Sequence, residues 1–216
     1  MANTQQKKMF EKGHFRVTIF GSARIKRGDV IYKQIYELAK LIGSKNMDVV
    51  TGGGPGLMEA ANRGHKQGSK ENQAHSLGLP IKLTKKENAN KSLDIIKEFE
   101  RFSKRLDHFM ALSHVVVVAP GGIGTTLELF YTWQLIQVKQ LCEIPVILCG
   151  SVWKPLLKWI KKGPLQKGFL SKNDLDYIYL TKNNKQVMQI IEQTHKLYNT
   201  GQKNICQNIV KYRIKT

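Results

Sequence analysis

Four consecutive valines, Val115–Val118, lead through Ala119 into Pro120-Gly121-Gly122-Ile123-Gly124-Thr125. A β-branched run with no polar alternation is buried on both faces, as in the centre of a parallel sheet. The glycine-rich turn at its end and a helix predicted over 126–139 complete a strand–turn–helix unit. The same order recurs upstream. Arg16-Val-Thr-Ile-Phe20 reads as a strand closing at Gly21-Ser22, and Met47-Asp-Val-Val-Thr51 as one ending in Gly52-Gly53-Gly54-Pro55-Gly56. Helices are predicted over 30–42, where Ile31, Ile35, Leu38, Ala39 and Ile42 share a face, and over 57–67. Further strands are expected at 76–82, 144–149 and 177–180, and a last helix at 185–198. Strands alternating with helices at this spacing indicate an α/β fold with a doubly wound, mostly parallel, Rossmann-like sheet. Its 216 residues suit one core. A single domain is expected over 14–198, between a flexible N-terminal segment at 1–13 and a basic C-terminal tail at 199–216.

Composition narrows the class. No stretch approaches the ~18–20 apolar residues of a membrane span, and the polar start, Met1 to Lys12, lacks a signal peptide's apolar run. Of three cysteines, Cys142 and Cys149 lie in apolar surroundings and are expected as buried thiols, while Cys206 sits in the tail. His14, His65, His75, His114 and His195 show no metal-ligand spacing, and Trp133, Trp153 and Trp159 are expected to pack. A cytoplasmic protein without a membrane partner is the expectation. The net charge is +19, with 22 basic and 13 acidic residues before position 151 and 13 against 3 after it. Such an excess attracts polyanions or steers phosphorylated small molecules, but reports association rather than fold. Specific nucleic-acid recognition is not expected from it.

Both glycine clusters fall at C-terminal strand ends, where open parallel sheets bind ligands. Gly52, Gly53 and Gly54 let bare backbone approach a phosphate at a helix start; a tight turn with close helix packing explains them equally well. In the second cluster Thr125 and Thr126 stand at the predicted helix entrance, with Glu128 in the first turn. Glycines with hydroxyls suit a phosphate, yet a carboxylate beside an anion is repulsive. Glu128 makes sense where positive charge develops during a reaction, or simply as a first-turn glutamate on its own helix. The nucleotide fingerprints GxGxxG and GxxxxGK[ST] and the hydrolase elbow GxSxG are absent. Between the clusters, Phe102, Leu106 and Phe109 form an apolar helical stripe expected in the core. Arg101, Arg105 and His108 form a basic one that fits a solvated face as well as a site.

Phe20-Gly-Ser-Ala-Arg24, Thr51-Gly-Gly-Gly-Pro-Gly-Leu-Met-Glu-Ala-Ala-Asn-Arg-Gly64 and Pro120-Gly-Gly-Ile-Gly-Thr-Thr-Leu-Glu128 resemble the LOG (Lonely Guy) family over residues 14–195. Its members are nucleoside 5′-monophosphate phosphoribohydrolases long described as lysine decarboxylases. The resemblance implies hydrolysis of the N-glycosidic bond of AMP or a cytokinin riboside 5′-monophosphate, giving free base and ribose 5-phosphate. It implies Arg105 and Glu128 as catalytic residues. Gly52, Gly53, Gly54, Gly121, Gly122, Gly124, Thr125 and Thr126 would bind nucleotide, with the 5′-phosphate on the backbone from Gly122 to Thr126. Ser22, Met58, Arg101 and Gln134 stand as further candidate substrate contacts. It also implies a homodimer or higher homo-oligomer with sites near the subunit contact. No metal and no cofactor are expected, and no lysine nominates itself for the pyridoxal phosphate that a decarboxylase requires.

The chain departs from the family pattern at Leu106, where a lysine is usual, at Ile123, where an aromatic residue is common, and at Gln134, where threonine is usual. The missing cation and the +19 charge keep a second reading open, a catalytically inactive nucleotide- or RNA-binding protein on the same fold.

Overall fold

The structure, a computed structural model, describes residues 14–69, 73–82 and 89–201. In chain order the main elements are β1 (Arg16–Phe20), α1 (Val30–Ser44), β2 (Asp48–Thr51), α2 (Leu57–Gly68), β3 (Ser76–Gly78) and β4 (Ile95–Ile96). They continue with α3 (Phe102–Leu112), β5 (Val115–Val118), α4 (Ile123–Gln137), β6 (Val146–Cys149), α5 (Lys154–Ile160), β7 (Ile178–Thr181) and α6 (Asn184–Asn199).

The strands form one sheet of order β4-β3-β2-β1-β5-β6-β7, and every pairing is parallel. Val17 pairs with Val115 and Phe20 with Val118, so the valine run lies beside β1 at the centre. All four valines are fully buried. Helices α1, α2 and α6 pack through α1, while α3 and α4 pack together against β1, so helices cover both faces. This is the expected doubly wound α/β fold. From β1 the chain winds outward through β2, β3 and β4, then returns to β5 on β1's other side. The winding reverses between β1 and β5, which opens a crevice beyond their C-terminal ends.

Local chemistry sets the crevice walls. Gly56, the residue before α2, has φ +69°, and a Cβ there would collide with the Ser22 carbonyl oxygen. Only glycine lets α2 begin against the β1 loop. Leu57 N–H donates to the Ser22 carbonyl at 2.9 Å, and Ser22 N–H donates to the Pro120 carbonyl at 3.1 Å. The turns after β1, β2 and β5 are therefore tied together through one residue.

Several expectations need correction. The strand expected over 76–82 ends at Gly78, because Pro80 has no N–H for the ladder; only an isolated bridge, Ile81 to Phe99, continues it. The two-residue β4 is too short to carry a pattern in the sequence. Helix α1 runs through Gly43, and α4 begins at Ile123 rather than at 126. Cys142 is exposed while Cys149 is buried. Trp133 and Trp153 pack as expected, but Trp159 is 58% exposed, and Phe102 on the predicted core stripe is 51% exposed. Segment 1–13 and the tail beyond residue 201, with Cys206, lie outside the described residues. No helix among those described is long and apolar enough to cross a membrane.

Candidate active site

The crevice holds a cavity of about 440 Å³, lined by the β1 loop, the start of α2, α3 and the start of α4. Of the residues singled out in the sequence, Ser22, Gly52, Met58, Arg105, Gly122, Gly124, Thr125 and Glu128 line it. Ile123, within the backbone stretch expected to hold the phosphate, lines it too, and so does Arg24, to which sequence reasoning gave no role at a site.

Arg105 projects from α3 and Glu128 from α4, two helices packed on the same face. Arg105 Nη2 donates to Glu128 Oε1 at 3.4 Å, and both side chains are about nine-tenths buried. The basic stripe is thus no solvated face at Arg105. The guanidinium carbon lies 5.2 Å from the Phe109 ring centroid, a cation–π contact with a fully buried phenyl. A Cβ at position 52 would stand 2.5 Å from Arg105 Nη2. The first glycine of Gly52-Gly53-Gly54 is therefore the space in which the guanidinium lies. Arg105 Nε is buried without a hydrogen-bond partner among the described residues.

Burial pushes the Glu128 carboxyl up to about 7, against the opposing pull of Arg105. Burial likewise lowers the Arg105 guanidinium, with Glu128 raising it. Because α4 begins at Ile123, Glu128 lies in its second turn. The first-turn reading of Glu128 does not hold, since no acidic residue occupies that turn.

The second glycine cluster divides by physical cause. A Cβ on Gly121 would collide with the Thr125 side chain, so Gly121 exists for packing. Gly122 and Gly124 meet nothing within 4 Å and carry no positive φ. Neither packing nor backbone demands glycine there, which leaves open room at the α4 N-terminus. Gly122 caps α4 with no side-chain hydrogen bond, so the first-turn N–H groups are available to an anion. Thr125 is buried, while the Thr126 hydroxyl donates to the Gly122 carbonyl at 3.0 Å.

Gly53, Gly54, Gly121 and Thr126 do not line the cavity. Gly53, at φ +74°, donates its N–H to Thr51 Oγ1, and the Asn90 side-chain amide donates to the carbonyls of Gly53 and Gly54. The same amide donates to Asn62 Oδ1 at 2.8 Å, and Asn62, fully buried, reaches Ser76 Oγ. This clamp on the first glycine loop escaped sequence reasoning, because a single asparagine in a polar stretch carries no pattern. Arg101 is exposed and does not line the cavity. Gln134 lines a separate groove with Phe130, Trp133 and Trp159. Leu106 is 6% exposed and places no charge at the site. His108, half-buried beside Lys97, is held down to about 4 by burial and by that lysine's charge. The buried His65 ring meets the Met47 carbonyl at 2.9 Å, a structural contact.

A family model described as "Possible lysine decarboxylase" matches residues 58–191, more than half of the chain. The chain belongs to this family, the one whose members the sequence motifs resemble. Among curated relatives, "Pyrimidine/purine nucleotide 5'-monophosphate nucleosidase" of Escherichia coli (strain K12) is 25% identical over 140 residues, covering 62% of this chain. The match spans only 30% of that relative's length. "Probable cytokinin riboside 5'-monophosphate phosphoribohydrolase LOGL2" of Oryza sativa subsp. japonica is 24% identical over 182 residues, 82% of this chain and 72% of its own. The fold is also that of a molybdenum cofactor binding protein from Rippkaea orientalis, with TM-score 0.62, 20% identity, and 85% and 97% of the two chains covered. The molybdenum cofactor carrier protein from Chlamydomonas reinhardtii gives 0.61 at 17% identity, covering 85% and 99%. At such identities these two structures inform the family's fold, not its ligand.

Proposed function

We propose that this chain hydrolyses the N-glycosidic bond of nucleoside 5′-monophosphates, AMP or a cytokinin riboside 5′-monophosphate, to free base and ribose 5-phosphate. The observation that carries this reading is the buried Arg105–Glu128 pair beside an uncapped helix N-terminus with open space at Gly122 and Gly124. An anionic phosphate on the α4 N-terminus holds the nucleotide by the end that does not react. The ribose then lies toward Glu128. Cleavage of the C1′–N bond builds positive charge on C1′ and the ring oxygen, and the ionised Glu128 stabilises it more in the transition state than in the ground state. Water adds to C1′ and gives up a proton, with Glu128 placed to accept it. Arg105 stabilises the electron pair departing on the base, which then takes a proton.

The two curated relatives named for nucleotide and cytokinin-riboside hydrolysis support the reading. The free thiols of Cys142 and Cys149 suit a reducing, cytoplasmic compartment. The homo-oligomer implied by the motifs belongs to the same proposal. Ile123, Leu127 and Phe130 are spaced along α4 from the cavity mouth and are 88%, 47% and 38% exposed. A second copy covering that stripe would bring the subunit contact to the site.

The test is chromatographic release of free base from a panel of nucleoside monophosphates, AMP first, with Glu128→Gln as control. Adenine and ribose 5-phosphate from the wild-type chain alone is the expected result. No release from any monophosphate by a folded chain that binds AMP overturns the hydrolase and leaves a nucleotide-binding protein, the reading favoured by the uncharged Leu106.

A further inference from the structure

We propose that Arg24 is the residue by which this site selects a phosphorylated ligand, supplying the side-chain cation for a phosphate seated on the α4 N-terminus. The inference rests on the nucleotide reading above and assigns a residue that the motif comparison left without a role.

The cavity's charges lead to it. A phosphate monoester carries up to two negative charges near neutrality, and first-turn N–H groups offer only about half a positive charge between them. Arg105 lines the cavity, but its Nη2 already donates to Glu128 at 3.4 Å and its guanidinium is packed on the Phe109 ring. Leu106 adds no charge. Arg24 is the remaining arginine on the cavity lining among the described residues. Its guanidinium has no carboxylate partner there, and its side chain is exposed toward solvent. The other arginines nearby are engaged. Arg27 pairs with Glu59, and Arg63 donates to the Tyr32 hydroxyl and lies over the Tyr36 ring.

Arg24 is also held where such a role requires. Its N–H donates to Ser22 Oγ at 3.1 Å. Ser22 is in turn fixed through its N–H to Pro120, just before the α4 turn, and through its carbonyl to Leu57 at the α2 start. The Ala23 backbone packs on Gly56, whose missing Cβ leaves room for it. The backbone under Arg24 is thus pinned to the loop that presents the α4 N–H groups. Ordering one long side chain on a fixed stem leaves less freedom to lose on binding, and a guanidinium meets two phosphate oxygens at once.

The experiment is calorimetric titration with AMP and with adenosine in the Glu128→Gln background, so that substrate is not consumed. Arg24→Ala is expected to weaken AMP about tenfold to a hundredfold, the scale of a charge-assisted contact, and to leave adenosine unchanged. Arg24→Lys restores part of the loss, and Arg27→Ala, which removes a cation already paired outside the cavity, changes neither. In the Glu128-containing chain the KM for AMP rises by a similar factor while kcat moves less. Equal weakening of AMP and adenosine, AMP affinity unchanged in Arg24→Ala, or a wild-type chain that binds adenosine as tightly as AMP would each overturn the proposal. Binding is the primary readout, so absence of base release defeats the hydrolase reading alone and leaves this test to be decided separately.

Discussion

At the scale of single residues the site is a conflict between burial and charge. Glu128 keeps its proton up to about pH 7, whereas the ordinary value is 4.5, because the cavity wall removes water from the carboxylate faster than Arg105 compensates. If the ionised form works on the developing ribose cation, kcat/KM rises with pH and levels off above about 7. A pH–rate profile checks this, with Glu128→Gln expected to lose about 10²–10³ in kcat and the rise with it. Stability runs the opposite way. Between pH 4.5 and about 7 the unfolded chain releases the Glu128 proton while the folded chain retains it, so the folded state loses stability as pH increases. The wild type should therefore lose up to about 3 kcal/mol relative to Glu128→Gln from pH 4.5 to 8. Denaturant melts at several pH values measure the difference, and a gap independent of pH would show that Glu128 titrates normally. Arg105 remains charged throughout and cancels in this slope.

At the scale of elements, glycines that look alike in sequence differ in what they permit. Gly64 lies on the α2 face against α1, where a Cβ would collide with the Tyr36 carbonyl oxygen. Helix propensity alone favours Gly64→Ala by about 1 kcal/mol. Overpacking at this contact reverses the sign, and a net loss of about 1–3 kcal/mol is expected in urea denaturation. Gly124 sits in the first turn of α4 with nothing within 4 Å of a Cβ. Gly124→Ala should leave the fold as stable or slightly more so and still weaken AMP binding, because the added methyl occupies the ligand's approach. Unchanged AMP affinity in that variant would remove the phosphate from the α4 N-terminus.

For the whole molecule the open question is what covers the apolar stripe of α4. Ile123, on the cavity lining, and Leu127 and Phe130 beyond it along α4 are exposed, and a stripe of this kind in a chain with net charge +19 calls for apolar rather than ionic association. Light scattering after size exclusion should give a dimer or larger assembly whose mass persists at high salt, since apolar contacts are not screened. Leu127→Asp should shift it toward the monomer. A wild-type monomer at micromolar concentration would end the oligomer reading without touching the chemistry of Arg105 and Glu128.

The division between what the sequence decided and what only the folded chain decided follows from the range of the forces involved. Buried strands, amphipathic helices and glycine turns are written in neighbouring residues, so the valine run, the 30–42 helix face and the doubly wound sheet are legible in the order of residues alone. So is the Arg105–Glu128 pairing, although there the motif resemblance carries it and spacing alone does not. Burial depends on what lies across the gap, and no local pattern contains that. Phe102 and Trp159 have the composition of core residues and are exposed, whereas Arg105 looks like a surface cation and is buried. The start of α4 at Ile123, which moves Glu128 out of the first turn, follows a Gly122 that offers no side-chain cap. Gly52 exists to make room for a guanidinium from a helix more than fifty residues later in the chain, and Arg24 stands on the cavity lining beside Ser22, which joins three loops. Contacts of that range are chosen by the packed sheet and its helices together, and they are what turn two glycine-rich turns into a site.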